Sequence, residues 1–200
     1  MDLFYLAIIV GITILLYFYV GFDFSSFFKS VLYGIGKISP ATASFAAFMT
    51  VHTVAADFLG IAMFGFLSRL FFLPLPAEPY LLYAYGAGTN FFILIVVMSI
   101  AGIFASAFNY LIGTLFGNYF INKSDHAKKL SGRLQKSKFV SWLIFAVALL
   151  PLPDVAGVVF GASRVGFKKY LLWTFIGFLA KEVIVLLAFD YLSPLAKSFM

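Results

Sequence analysis

Leu73-Pro74-Leu75-Pro76, followed by Ala77 and Glu78, recurs almost unchanged as Leu150-Pro151-Leu152-Pro153-Asp154. Two prolines one residue apart remove two backbone donors and fix two φ angles, so a helix must stop at each copy. Both copies sit inside long apolar stretches. Interrupted backbone at membrane depth survives only where it is buried in protein or lines a watered cavity. The acid beside each break is costly in hydrocarbon and marks a functional candidate. Paired, interrupted apolar segments in corresponding halves of a chain point to a transporter's substrate site.

The composition around these breaks is that of a bilayer protein. Of 200 residues, 63% are hydrophobic and 11% charged, against about 25% charged in soluble domains. One compact polytopic membrane domain is expected. The absence of cysteine rules out disulfides, thiol nucleophiles and cysteine metal sites. The net charge of +6 reads as cytoplasmic positive loops rather than as a nucleic-acid surface.

Working outward, residues 3–20 carry no charge and are just long enough to span. With Asp2 and no basic n-region ahead of them, they read as a retained first helix rather than a cleaved signal. Residues 23–38 place Phe24, Phe27, Phe28, Val31, Leu32, Ile35 and Ile38 on one helical face, which predicts an amphipathic interfacial helix. A helix packed on the bundle is the rival reading. Pro40 opens a segment that runs to residue 72. That length, ~48 Å if helical, exceeds a ~30 Å hydrocarbon core, so it protrudes or breaks near Gly60 and Gly65. The first interruption covers 71–88, the next span 89–117, a basic loop 118–138, the second interruption 139–163 and the last span 170–192. Gly102, Ser106, Gly113 and Gly117 form a small-residue series that suits close helix packing.

Charge sets the topology. With 118–138 inside the cell and each interruption a re-entrant hairpin, the hairpins enter from opposite faces. Of 14 lysines and arginines, only Arg69, Lys181 and Lys197 then fall outside cytoplasmic segments. The fold expected is all-α: about four transmembrane helices, two opposed re-entrant hairpins forming an inverted repeat, and one interfacial helix. The halves are 40–117 and 139–192, and both termini lie outside.

Glu78 and Asp154 lead the candidate chemistry, as buried acids that bind a proton, a cation or a lipid headgroup. The structural alternative is that each caps amides freed by its proline break. Asp57, an acid within a span, joins them as a site candidate; His52 reads as a hydrogen-bonded packing residue. Arg164, after the second hairpin, suits a bidentate phosphate contact or a positive-inside anchor. Arg69 breaks the charge rule, which points to pairing with Asp57 or Glu78, snorkelling, or phosphate contact. Lys181 and Glu182 are adjacent and do not face one another on a helix, so each needs its own partner. Asn109 and Tyr110 are secondary candidates, with Asn109 read first as interhelical glue.

The segment from Pro151 through Asp154 to Phe160-Gly161-Ala162-Ser163-Arg164-Val165-Gly166-Phe167-Lys168-Lys169-Tyr170 and on to Gly177 resembles the C-terminal signature of the DedA superfamily, the SNARE-associated or VTT-domain membrane proteins. Pro74 to Glu78 resembles that family's first hairpin. Gly102 through Tyr110, Gly113 and Gly117 is similar to its small-residue helix. The resemblance covers about residues 65–190 in order. Many bacterial members carry an arginine before the second hairpin proline and another soon after it. Here Ala148, Leu149 and Leu150 precede Pro151, Asp154 stands near the later position, and only Arg164 has a counterpart. The chain thus resembles a divergent branch, and a mechanism built on that arginine pair lacks its residues here.

The resemblance implies phospholipid flipping or scrambling, or recycling of polyprenyl-phosphate carriers, in some cases linked to the proton gradient. The residues themselves agree in class: a lipid-phosphate flippase or scramblase, with membrane lipids as partners. Protons, cations and a second copy of the chain are further candidate partners; no cofactor, metal or nucleic acid is implied. The alternative is a small ion-coupled or proton-coupled solute transporter. An intramembrane enzyme ranks lower, because no Gly-x-Gly-Asp, Gly-x-Ser-x-Gly or His-Glu-x-x-His run is present; so does a structural membrane-shaping protein. The cell membrane of a prokaryote is the expected location.

Overall fold

The computed structural model describes residues 29, 33, 37, 40–71, 75, 77–122, 125–150 and 155–198. The first helix at 3–20, nearly all of the amphipathic segment at 23–38, the prolines Pro74, Pro76, Pro151 and Pro153, and Asp154 lie outside the described residues. What is described is all-helical, with no strand. The helices are α1 (Pro40–Ala55), α2 (Phe58–Leu67), α3 (Ala77–Gly86), α4 (Phe91–Asn122), α5 (Asp125–Lys136), α6 (Val140–Leu149), α7 (Val155–Ala162) and α8 (Phe167–Ser198). Among the described residues, two helices are long and apolar enough to cross a membrane, through Phe91–Gly117 and Phe167–Tyr191. A third span is added if the bent pair α1–α2 is counted as one. Phe92, Phe104, Leu115 and Leu172 stand exposed on these long helices. In water that surface would be a liability; in a bilayer it is the lipid face.

The chain divides into two compact units. The first comprises Met1–Phe64, Pro76–Met98 and Glu182–Met200; the second comprises Gly65–Leu75 and Ser99–Lys181.

In the first unit, α1 and α2 meet at 113°. The break comes at Ala56 and Asp57, earlier than the two glycines that suggested it. Ala56 adopts a left-handed φ of 49°. Asp57 then caps α2: its Oδ1 accepts from the Gly60 amide at 2.8 Å. Its other oxygen lies 2.6 Å from His52 Nδ1. Gly60 is where the chain folds back on itself, because a Cβ there would overlap the His52 carbonyl. The carbonyls freed at the end of α1 also find donors. Tyr83 Oη donates to Val54 O at 2.6 Å, and Thr89 Oγ1 donates to Ala56 O at 3.3 Å. Broken backbone within a membrane protein needs this internal satisfaction. Phe64 stacks on Tyr80 at 4.2 Å between centroids. Asn90 opens α4, its Oδ1 accepting from the amides of Phe92 and Ile93.

In the second unit, α7 lies against α4 with almost nothing between the backbones. A Cβ on Gly113 would overlap Val158 O, and one on Gly161 would overlap Tyr110 O. Gly117 and Gly157 are similarly crowded, by Ala162 and by Asn109 with Tyr170. Each helix therefore offers a pair of glycines four residues apart, the spacing that lets backbones approach. Beside this seam, Tyr110, Leu134, Val140, Ile144, Phe160, Val165 and Tyr170 form a buried cluster. The Tyr110 hydroxyl donates to Val165 O, and its ring stacks on Tyr170 at 5.3 Å.

The basic segment at 118–138 holds a helix, α5. Lys129, Arg133 and Lys136 are exposed at i, i+4, i+7, while Ser131 and Leu134 are buried on the other side. Gly132 lies within this helix with nothing within 4 Å of its would-be Cβ. Gly132→Ala is therefore expected to raise stability by about 0.5–1 kcal/mol, read as a higher unfolding temperature in detergent.

Candidate functional site

Arg69 follows the last turn of α2, on backbone that has left the helix. Its own peptide is held by Asn109 of α4, which is fully buried. Asn109 Nδ2 donates to Arg69 O at 2.8 Å, and its Oδ1 accepts from the Phe71 amide at 3.3 Å. One amide side chain thus satisfies a donor and an acceptor that the end of α2 leaves over. Asn109→Leu would remove both of these contacts, at a cost of roughly 1–3 kcal/mol for the buried one to the Arg69 carbonyl. The expected result is a marked fall in unfolding temperature, measured by circular dichroism in detergent.

The Arg69 side chain runs across α4 at Gly102. A Cβ there would lie 2.6 Å from Arg69 Cδ and 2.7 Å from Nε. The guanidinium carbon ends 3.6 Å from the centre of the Phe178 ring, and Lys181 Nζ lies 5.7 Å from the same ring. Cations over an aromatic face are attracted by its quadrupole, more so when water is excluded. Arg69 is 5% exposed and Lys181 7%, so neither snorkels to an aqueous surface. Gly102 lies near the middle of the Phe91–Gly117 span, and Phe178 and Lys181 near the middle of Phe167–Tyr191. The structure therefore gathers two cations about one aromatic ring halfway along the membrane-length helices. Glu182, the next residue on α8, is 1% exposed. Charges at that depth are costly and are retained where they handle charge.

The other predicted residues fall elsewhere. Glu78 is half-buried in the first turn of α3, where the helix dipole favours a carboxylate. Asp57 is the cap of α2 and the partner of His52. Tyr110 belongs to the aromatic core of the second unit. Arg164 is exposed in the turn between α7 and α8, with φ of 52°, and is not part of the buried cluster. Asp154 lies outside the described residues. No cluster of His, Asp or Glu among the described residues could hold a metal ion. Sequence reasoning missed Phe178 and the particular use of Gly102. Phe178 stands three residues before Lys181 on a helix, one turn away, and that spacing was the available signal.

The VTT domain family matches residues 75–191. No curated protein and no solved structure matches the chain. The match takes in Glu78, Asn109, Arg164 and Lys181, while Asp57 and Arg69 precede it. Its coverage and the apolar helices make this an integral membrane protein, and the family is in keeping with a transporter-like role. More than half of the sequence falls within the match, so the chain belongs to the VTT-domain family, the DedA or SNARE-associated membrane proteins.

Proposed function

We propose that the protein moves a phosphate-bearing lipid across the bilayer, as a flippase or scramblase of a phospholipid or a polyprenyl phosphate. The observation that carries the reading is the placement of Arg69 and Lys181 together around Phe178 at mid-depth. An anionic headgroup crossing a membrane meets its highest barrier there, and a guanidinium and an ammonium are the side chains that lower it. Glu78, Asp154, Asp57 and Glu182 are the acids proposed to take up a proton or a headgroup amine. Arg164, exposed at the end of α7, is proposed to meet the phosphate at the surface. The cell membrane of a prokaryote is the proposed location.

The test is translocation of fluorescent phospholipid and polyprenyl phosphate in proteoliposomes, with and without a pH gradient. Wild-type movement that is lost in Glu78→Gln and Asp154→Asn would support acid-dependent transport. Dependence on the gradient would separate coupled transport from scrambling. Movement no faster than in empty liposomes, for every lipid tried, would overturn the lipid reading in favour of an ion-coupled solute transporter.

A further inference from the structure

The second unit carries a dense cationic surface that the buried cluster does not use. Lys129, Arg133 and Lys136 share the exposed face of α5, and Lys138 follows, also exposed. Helix α5 is docked on the turn between α7 and α8. Gln135 Nε2 donates to Ser163 O at 2.8 Å, and Leu134 packs in the cluster that holds Val165 and Tyr170. That contact seats α5 on the turn that carries Arg164, with Lys168 and Lys169 following at the start of α8, all three exposed. No acid occurs between Asp125 and Asp154, or between Asp154 and Glu182.

The depth of this surface is marked independently. Trp142 of α6 and Trp173 of α8 lie 5.9 Å apart between centroids, so they share one level. Each follows a lysine by four residues: Lys169 within α8, where that is one turn or about 6 Å, and Lys138 in the turn that leads into α6. Paired tryptophans preceded by cations are the pattern of a membrane–water boundary. Phe139 and Trp142, next to these cations, are exposed; such apolar rings beside lysines suit a lipid surface, not a wholly aqueous polyanion.

We propose that the exposed face of α5 and the start of α8 form a platform that binds the headgroups of anionic phospholipids in the leaflet it touches. It is a standing lipid-binding surface, separate from the buried Arg69–Lys181 cluster. It does not rest on the transport reading and is tested without any translocation assay.

The two tryptophans are the only ones in the chain, so intrinsic fluorescence reports this surface directly. The full-length protein would be reconstituted in mixtures of phosphatidylcholine and phosphatidylglycerol, with one or the other lipid brominated. At low salt, brominated phosphatidylglycerol is expected to quench with about threefold or greater preference. In ~1 M salt the preference should fall towards unity, because exposed charges are screened. The variant Arg133→Gln/Lys136→Gln/Lys168→Gln/Lys169→Gln is expected to lose the preference at low salt. Equal quenching by both lipids in the wild type, or a preference that persists in high salt, would overturn the proposal whether or not the variant folds. Binding of a short RNA to the detergent-solubilised protein, with no lipid preference, would overturn it in favour of a nucleic-acid surface.

Discussion

Arg69→Gln is expected to slow lipid-phosphate translocation by about 10- to 100-fold, the consequence of losing a charge-assisted contact of roughly 1.5–3 kcal/mol. Glutamine keeps a polar end but not the charge, the planar fork or the cation over Phe178. The peptide of Arg69 should be undisturbed, because Asn109 holds it through the main-chain carbonyl. Loss of the buried cation over Phe178 should lower the unfolding temperature as well, so rates are to be compared at a temperature where both proteins remain folded. Arg69→Lys is the informative companion. It keeps the charge but loses the stacked guanidinium, so an intermediate rate is expected. Equal rates for wild type and Arg69→Gln in the proteoliposome assay would remove the buried cations from the transport path.

Gly161→Ala should do the reverse and destroy the fold before any question of function arises. The added methyl would overlap the Tyr110 carbonyl, and a Cβ has no rotamer through which to escape. Helices α4 and α7 would have to separate, and the facing pair Gly113 and Val158 would separate with them. Overpacking of this kind costs about 1–3 kcal/mol where side chains can yield, and more is expected where both groups are backbone. The Tyr110 hydroxyl bond to Val165 O spans the same region and would be strained together with the seam. Loss of a monodisperse species in size-exclusion chromatography is the expected readout. Gly132→Ala, on open ground in α5, is the matched control.

Some of this was legible in the sequence, and the rest was hidden for definite reasons. Gly113 and Gly117 announced a close helix contact through their spacing, and the structure supplies Gly157 and Gly161 as the facing pair. Gly102 belongs to the same series yet makes room for an arginine, and spacing alone cannot tell a backbone neighbour from a side-chain one. Arg69 stood out because it violated the charge rule. Its partner Phe178 did not, being one of 27 phenylalanines. The bend at Ala56 and Asp57 carries neither proline nor glycine at the break itself. It is set by an alanine in a left-handed conformation and by an aspartate whose capping role is invisible until the next helix is placed. The Asp57 that drew attention as a charge in a span is thus also the residue that starts α2.

The room that Gly102 leaves for the Arg69 stem ties two positions far apart in the sequence into a single unit of inheritance. A Cβ at 102 would lie 2.6 Å from that stem and 3.0 Å from Phe178 Cε2, so glycine is favoured there for as long as the arginine keeps this path. Among homologues, arginine at the position of Arg69 should therefore travel with glycine at the position of Gly102. Lineages with a short residue at the first should be released to alanine or serine at the second. Such paired exchange would sort the family into branches with and without a mid-membrane guanidinium before any of them is purified.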